Sequence, residues 1–265
     1  MLFGDGVVVV VDGAGLPADL RAGCRHSVAW FANTVAHTFH ELLTKRSHAM
    51  VDALAETITQ VRASHAPTCD LEAGSPSATV AAWRISENRL EYLVLCDASV
   101  VLVDRDQRAV EITDRRLQRV LEATATVEGS RTDDVVRAGA AVRATRRRAL
   151  ETARNRLGGF WCVHTDPAAA LHAVHGDVAI DDHVGVLVCS DGATRGYDLL
   201  QTHTIDQFTR EALSGKRQDL AAIIRAGETQ QAEQLRGRGL KVHDDLTLVA
   251  APLDHTINTR QESTP

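Results

Sequence analysis

The chain has 265 residues, with 29 Lys and Arg against 35 Asp and Glu, a formal net charge of −6, and 44% hydrophobic residues. That length can bury a sizeable core as one large domain or two small ones, and the mild acidity argues against a nucleic-acid partner, whose phosphates are held by clustered Lys and Arg. The longest aliphatic run, residues 7–11, falls far short of the roughly 18 apolar residues that span a bilayer, and no basic segment precedes it, so the composition predicts a soluble, cytoplasmic protein with neither a membrane partner nor a cleaved secretory signal.

The run of valines at 7–11 stops at Asp12-Gly13-Ala14-Gly15. Five β-branched residues closed by Asp-Gly predict a buried strand ending in a tight turn, and Asp5 reads as the turn before it. A helical stretch is expected over about 24–64. Val28, Phe31, Val35, Phe39 and Leu42 recur at spacings of three and four, and Val51, Leu54, Ile58 and Val61 form a second stripe after a polar break. The pattern fits two helices, or one broken near Ser47. Residues 65–77 carry Pro67, Gly74 and Pro76 and read as a loop. Three apolar runs at 78–85, 90–96 and 100–103 then predict an antiparallel β-meander.

Residues 129–158 are rich in Arg and Ala and read as helical or loosely ordered. Their basic members Arg143, Arg146, Arg147, Arg148, Arg154 and Arg156 form either a solvated helix face or a docking surface for an acidic, phosphorylated partner. Gly158-Gly159-Phe160-Trp161 predicts a turn followed by core aromatics, and Trp30 and Trp83 are also expected in the core. A short helix over 168–174 opens at Asp166-Pro167, where Pro is pre-set for the first turn. Residues 184–189 predict a buried strand ending at Ser190-Asp191-Gly192. A helical pattern follows over 205–236, broken around Gly215, and a last strand over 246–251 comes after His243-Asp244-Asp245. Helices and strands come in blocks rather than in strict alternation. That order predicts an α+β fold with antiparallel sheets.

The five cysteines (Cys24, Cys69, Cys96, Cys162, Cys189) show no metal-finger spacing and read as reduced thiols acting as small hydrophobes. Among 12 histidines, the pairs His37/His40 and His172/His175 lie at i,i+3, but no further ligands accompany them in the sequence.

Four aspartates share a position: Asp12, Asp97 and Asp191 follow apolar strands, and Asp244 precedes one. A carboxylate at a strand end is held by a rigid element and aimed at one point. If the four ends meet, their charges repel in a partly dry site and require protons or cations, and all-oxygen ligands favour Mg²⁺ or Mn²⁺ over zinc. Gly13 and Gly192 directly follow two of them and leave room for a close approach, with the Gly13 carbonyl free as a ligand. Each Asp-Gly pair taken alone is also an ordinary turn signal.

The order of four segments goes further. Asp12-Gly13-Ala14-Gly15 near the start, Cys96-Asp97-Ala98-Ser99 in the middle, Ser190-Asp191-Gly192-Ala193-Thr194 late and Asp244-Asp245-Leu246-Thr247 near the end resemble the metal-dependent serine/threonine phosphatases of the protein phosphatase 2C-like family. Glu111-Ile112-Thr113-Asp114 lies where that family has a Thr-Asp-Asp-like segment. The resemblance implies a four-layer α/β/β/α sandwich of antiparallel sheets flanked by helices, forming one catalytic domain over residues 1–253 with a polar tail at 254–265. It implies two Mn²⁺ or Mg²⁺ ions: Asp12 bridges them, the Gly13 carbonyl binds one, and Asp191 and Asp244 complete the other. Asp97 with Asp191 matches a third, weaker site. Asp12 and Asp191 are the catalytic pair, a metal-activated water attacks phosphorus without a phosphoenzyme, and the substrates are phosphorylated proteins.

The sequence departs from the family pattern at three places. Only eleven residues precede Asp12, so the family's N-terminal strand and upstream Arg and acidic segment are expected to be missing. Ala14 stands where some members have His, and Ala98-Ser99 replaces Ser-Arg. These departures leave a second expectation, a weakly active or inactive phosphatase-like module used for binding or regulation.

Overall fold

The computed structural model describes residues 1–14, 23–128 and 149–253. Of the basic stretch, Arg154 and Arg156 fall within these residues. Arg143, Arg146, Arg147 and Arg148 lie outside them, as does the tail at 254–265.

The chain opens with a hairpin of β1 (Leu2–Gly4) and β2 (Val7–Gly13) in antiparallel register, Leu2 opposite Val9. Its turn residues Asp5 and Gly6 both have positive φ, 52° and 71°, as a tight two-residue hairpin turn requires. The turn at Asp5 was legible in the sequence, but the three-residue strand before it was not. Helix α1 (Val28–Thr44) begins at the first residue of the apolar stripe, later than the expected start near residue 24. Ser27 caps it by accepting the Trp30 N–H at 3.0 Å, which leaves Cys24 to His26 outside the helix. Helix α2 (Met50–His65) follows, so the break near Ser47 separates two helices.

Strands β3 (Ala78–Ser86) and β4 (Arg89–Leu95) continue the first sheet, whose order β1-β2-β3-β4 is completed by β7 (Val174–Ala179). The expected meander stops there. β5 (Ser99–Asp104) crosses to a second sheet, pairing with β6 (Ala109–Thr113) and β8 (His183–Cys189), and β9 (Leu248–Pro252) closes the order β6-β5-β8-β9. The crossing occurs at Cys96, which sits at φ 70°, a region costly for a residue with a Cβ. Helix α3 (Arg116–Glu128) follows β6, and the second sheet is covered by α4 (Asp191–Asp198), α5 (Ile205–Leu213), α6 (Arg217–Gln230) and α7 (Ala232–Gly237). The turn of helix expected after Asp166-Pro167 is a 3₁₀ segment, Pro167–His172. All strand pairs named here are antiparallel, and the layers run helix, sheet, sheet, helix.

The two-faced burial explains why β2 is all valine. Val7 and Val9 pack against Phe31, Val35, Phe39, Leu54 and Ile58 of α1 and α2, while Val8 and Val10 face Val100, Leu102, Val186 and Val188 of the second sheet. A strand buried on both faces has no polar positions to alternate. Beyond the second sheet, Leu187 and Cys189 pack against Phe208, Leu220 and Ile224 of α5 and α6. Trp83 is buried between the sheets and Trp161 against the first helical layer. Trp30 is only partly buried. Among the described residues no helix is long and apolar enough to cross a membrane.

Candidate active site

The sandwich carries one concave feature to which all four strand-end aspartates contribute. A cleft of about 140 Å³ is lined by Asp12, Gly13, Asp97, Asp191 and Asp244, with Lys241 and Arg154 at its wall and Leu117, Leu150 and Phe160 forming an apolar side.

Each aspartate is aimed by local backbone chemistry. Asp12 lies at the end of β2 opposite Thr79 of β3. The Thr79 hydroxyl donates to the Leu95 carbonyl at 3.0 Å and accepts the Ala98 N–H at 2.9 Å, which pins the crossing that carries Asp97. Asp191 is the first residue of α4, behind the N-cap Ser190, where a carboxylate meets the positive helix end. The Ser190 hydroxyl in turn accepts the Thr247 N–H at 3.0 Å and donates to the Asp245 carbonyl at 3.3 Å, fastening the Asp244 segment to α4.

The two glycines do not leave the space the sequence suggested. A Cβ on Gly192 would lie 2.0 Å from the Asp245 carbonyl oxygen, and one on Gly13 would lie 2.3 Å from a Val28 methyl. The close approach that they permit is that of the chain itself. The hydroxyls of Thr194 and Thr247, beside two of these aspartates in the sequence, make no hydrogen bond to a carboxylate of the cleft among the described residues. The Thr194 hydroxyl donates to Asp198 at 2.8 Å, and Thr247 acts through its backbone.

The charges in the cleft are unequal in their support. Burial, the Asp191 charge and a hydrogen bond with Asp191 push the Asp12 carboxyl up to about 7, with Asp244 and Asp97 adding to the rise. Burial and Asp191 push Asp97 up to about 6, against hydrogen bonds from its own N–H and from Cys96 and Thr79. Asp191 is raised by burial and by Asp244. Asp12 and Asp191 therefore titrate as a pair, each raised by the burial they share and Asp12 also by the Asp191 charge.

Asp244 is held differently. Its Oδ2 accepts from the Arg195 guanidinium at 2.7 Å and its Oδ1 from the Lys241 ammonium at 2.8 Å. Arg195 is itself fixed by Glu228 at 2.8 Å and by the Lys241 and Val242 carbonyls, and Glu228 is fully buried. Burial acts against the Lys241 ammonium, but Asp244, with Asp191 and Asp12 behind it, holds its pKa above the ordinary value.

Arg195 and Lys241 escaped the reading of the sequence, and Arg154 was read only as part of a basic stretch, not as a residue of this cleft. None belongs to a strand-end motif, although Arg195 lies four residues after Asp191, one helical turn on. Glu111 and Asp114 do not line the cleft. Glu111 accepts hydrogen bonds from Tyr197 and Ser99, and Asp114 pairs with Arg116 at 2.6 Å.

A family model described as protein phosphatase 2C matches residues 3–236. The chain belongs to the protein phosphatase 2C family. Solved structures share the protein phosphatase 2C fold at low identity. The Mycobacterium tuberculosis serine/threonine phosphatase PstP/Ppp is 18% identical with a TM-score of 0.54, covering 96% of this chain and 91% of its own. A bacterial serine phosphatase is 13% identical with a TM-score of 0.51, over 94% and 86% of the two chains. The Staphylococcus aureus serine/threonine phosphatase Stp1 is 11% identical with a TM-score of 0.50, over 94% and 84%. No curated protein sequence matches the chain significantly.

A second cluster breaks the expectation for the cysteines. Cys96, Cys162 and Cys189 are buried small hydrophobes as read, but Cys24 and Cys69 meet His26 and His65. The i,i+3 histidine pairs assemble no metal cluster among the described residues, and His172 instead stacks on Trp161 with ring centroids 3.5 Å apart.

Proposed function

We propose that the protein is a metal-dependent phosphatase acting on phosphoserine and phosphothreonine in other proteins. One observation carries this reading: four aspartates from separate elements line one cleft, where burial and the neighbouring carboxylates raise Asp12. Membership of the protein phosphatase 2C family, whose members are generally metal-dependent, supports it.

The donor set fits the ions. Carboxylates and a backbone carbonyl are hard oxygen ligands suited to Mg²⁺ or Mn²⁺, and their mutual repulsion favours a bound cation. Asp12, the Gly13 carbonyl, Asp191 and Asp244 would hold two ions, and Asp97 with Asp191 a weaker third. When bound, such ions lend Lewis-acid charge to phosphoryl oxygens and lower the pKa of water. The chain's own residues do the rest. Rigid strand ends keep Asp12 and Asp191 at fixed positions, so little reorganisation accompanies the reaction. Arg195 orients Asp244. Leu117, Leu150 and Phe160 exclude water from one wall. Arg154, whose buried Nε has no hydrogen-bond partner among the described residues, supplies a guanidinium to the cleft, and we assign it the substrate phosphate.

Hydrolysis of p-nitrophenyl phosphate and of a phosphothreonine peptide should require Mn²⁺ or Mg²⁺ and be abolished by EDTA. Asp191→Ala should lower kcat by about 10³-fold, equivalent to several kcal/mol of lost charge stabilisation. Turnover that survives both treatments overturns the reading. A second reading, a phosphoprotein-binding module with little turnover, is favoured by the cations that already occupy both oxygens of Asp244. Phosphopeptide binding without hydrolysis at saturating Mn²⁺ would select it.

A further inference from the structure

Away from the cleft, the segment that enters α1 meets the segment that leaves α2. Cys24 and His26 lie just before the Ser27 cap, His65 is the last residue of α2, and Cys69 follows one turn of 3₁₀ helix, Ala66–Thr68. A backbone hydrogen bond from the Asp70 N–H to the Gly23 carbonyl, 2.8 Å, joins the two segments beside the cluster.

Four side chains turn their donor atoms to one point. Cys24 Sγ lies 3.5 Å from His26 Nδ1 and 3.5 Å from His65 Nδ1, and Cys69 Sγ lies 3.3 Å from both Cys24 Sγ and His26 Nδ1. All four donor atoms fall within 4.8 Å of one another. Tetrahedral zinc, with bonds of ~2.3 Å to sulfur and ~2.0–2.1 Å to nitrogen, separates its ligand atoms by roughly 3.3–3.8 Å. Four of the six donor–donor separations, at 3.3–3.5 Å, lie in or near that range, and the other two stay within 4.8 Å.

The rings are also fixed in place. His26 stacks on Trp30 with centroids 3.9 Å apart, and the fully buried His65 packs against Trp30 and Phe31. The His65 Nε2 is buried with no hydrogen-bond partner among the described residues, so aromatic packing rather than a hydrogen bond aims its Nδ1 at the thiols. Cys24 and His65 are buried, while His26 and Cys69 are partly exposed, so the cluster lies at the edge of the core where an ion can reach it.

We propose that Cys24, His26, His65 and Cys69 form a structural zinc site that clips the start of α1 to the end of α2. Sulfur and imidazole donors select zinc, while Mg²⁺ and Mn²⁺ prefer the oxygens of the cleft, so one chain sorts two classes of ion by donor chemistry. Binding releases the two thiol protons to solvent and changes no oxidation state. The four ligands leave no open position, which makes the site structural rather than catalytic. The alternative, a Cys24–Cys69 disulfide, would need the sulfurs to close from 3.3 Å to ~2.05 Å.

The full chain, expressed with zinc and isolated anaerobically, should carry one zinc ion per molecule that excess Mn²⁺ does not displace. Replacement by Co²⁺ should give the visible ligand-field and near-ultraviolet thiolate charge-transfer bands of a tetrahedral S₂N₂ site. Cys24→Ser and Cys69→Ser should lose both the zinc and the cobalt bands, whereas Asp191→Asn should keep them. If the cysteine variants fold poorly, the zinc content and cobalt spectrum of the unaltered chain decide. Absence of stoichiometric zinc, a cobalt spectrum without thiolate bands, loss of zinc from Asp191→Asn, or a Cys24–Cys69 disulfide found by mass spectrometry of the anaerobic protein would each overturn the assignment.

Discussion

The molecule gathers titratable side chains at two places, and they solve opposite problems. In the cleft, carboxylates that repel one another are brought together by strand ends, and relief comes from a raised affinity of Asp12 for protons and from Arg195 and Lys241 at Asp244. At the junction of α1 and α2, two thiols and two imidazoles are brought together and can hydrogen-bond among themselves. The cleft is electrostatically loaded and open. The thiol–imidazole cluster carries no carboxylate and is partly sealed. The first gains most from a change in charge, the second from a change in covalency, and perturbations of one should leave the other untouched.

The largest expected effect tests how far the cleft depends on its buried cation. Arg195 and Glu228 have side-chain exposures of only 7% and 0%. Arg195→Met leaves Glu228 buried with a weaker set of partners, Arg225 and His243, and frees Asp244 from its anchor. Breaking a buried pair from one side costs about 3 kcal/mol, to be read from urea denaturation. Zinc content should not change. A loss below about 1 kcal/mol would mean that solvent, not Arg195, neutralises this end of the cleft.

What could be read beforehand follows the same division. Asp12, Asp97, Asp191 and Asp244 were legible because each closes or opens an apolar strand, so local pattern and chemistry coincide. The buried valine strand and the two helices were legible for the same reason. Strands β6 and β7 were not, because edge strands such as Val174–Ala179 carry His and Asp on exposed positions and show no clean apolar period. The departure of β5 to the second sheet is fixed by the backbone at Cys96, and composition carries no signal of it. Helix α4 was hidden behind the Ser190-Asp191-Gly192 turn. The thiol–imidazole cluster was invisible for a deeper reason: Cys24 and Cys69 are brought together by α1 packing on α2, and no spacing rule spans two helices.

Proton linkage separates the two places next. Folded Asp12 keeps its proton to about 7 and Asp97 to about 6, against an unfolded value of 3.8. Between those limits the native state binds more protons than the unfolded chain, so the stability of the chain without Mn²⁺ or Mg²⁺ should be greatest near pH 4 and fall as pH rises to about 7. With Asp12 only partly buried, the discounted loss is of order 1–2 kcal/mol. Saturating Mn²⁺ should reverse the slope, because ion binding needs the deprotonated carboxylates. Denaturation of the zinc-loaded chain at pH 5 and pH 8, with and without Mn²⁺, reads this directly. A flat profile without Mn²⁺ would place the carboxylates too far apart to interact.

The smallest effect concerns an exposed cation that competes with the ions for the cleft. Lys241 donates to Asp244 Oδ1 at 2.8 Å, yet its side chain is 62% exposed. An exposed pair of this kind is worth only ~0.2–1 kcal/mol. Lys241→Ala should therefore barely alter stability, while freeing an oxygen of Asp244 and removing a positive charge beside Asp12 and Asp191. Mn²⁺ affinity measured by calorimetry should rise by up to about five-fold. An unchanged affinity would show that Asp244 binds ions through the oxygen facing Arg195, or not at all, and would shift weight to Asp12 and Asp191 as the residues that hold them. A weakened affinity would mean that Lys241 positions Asp244 rather than competing for it, which would make the ammonium part of the site's framework.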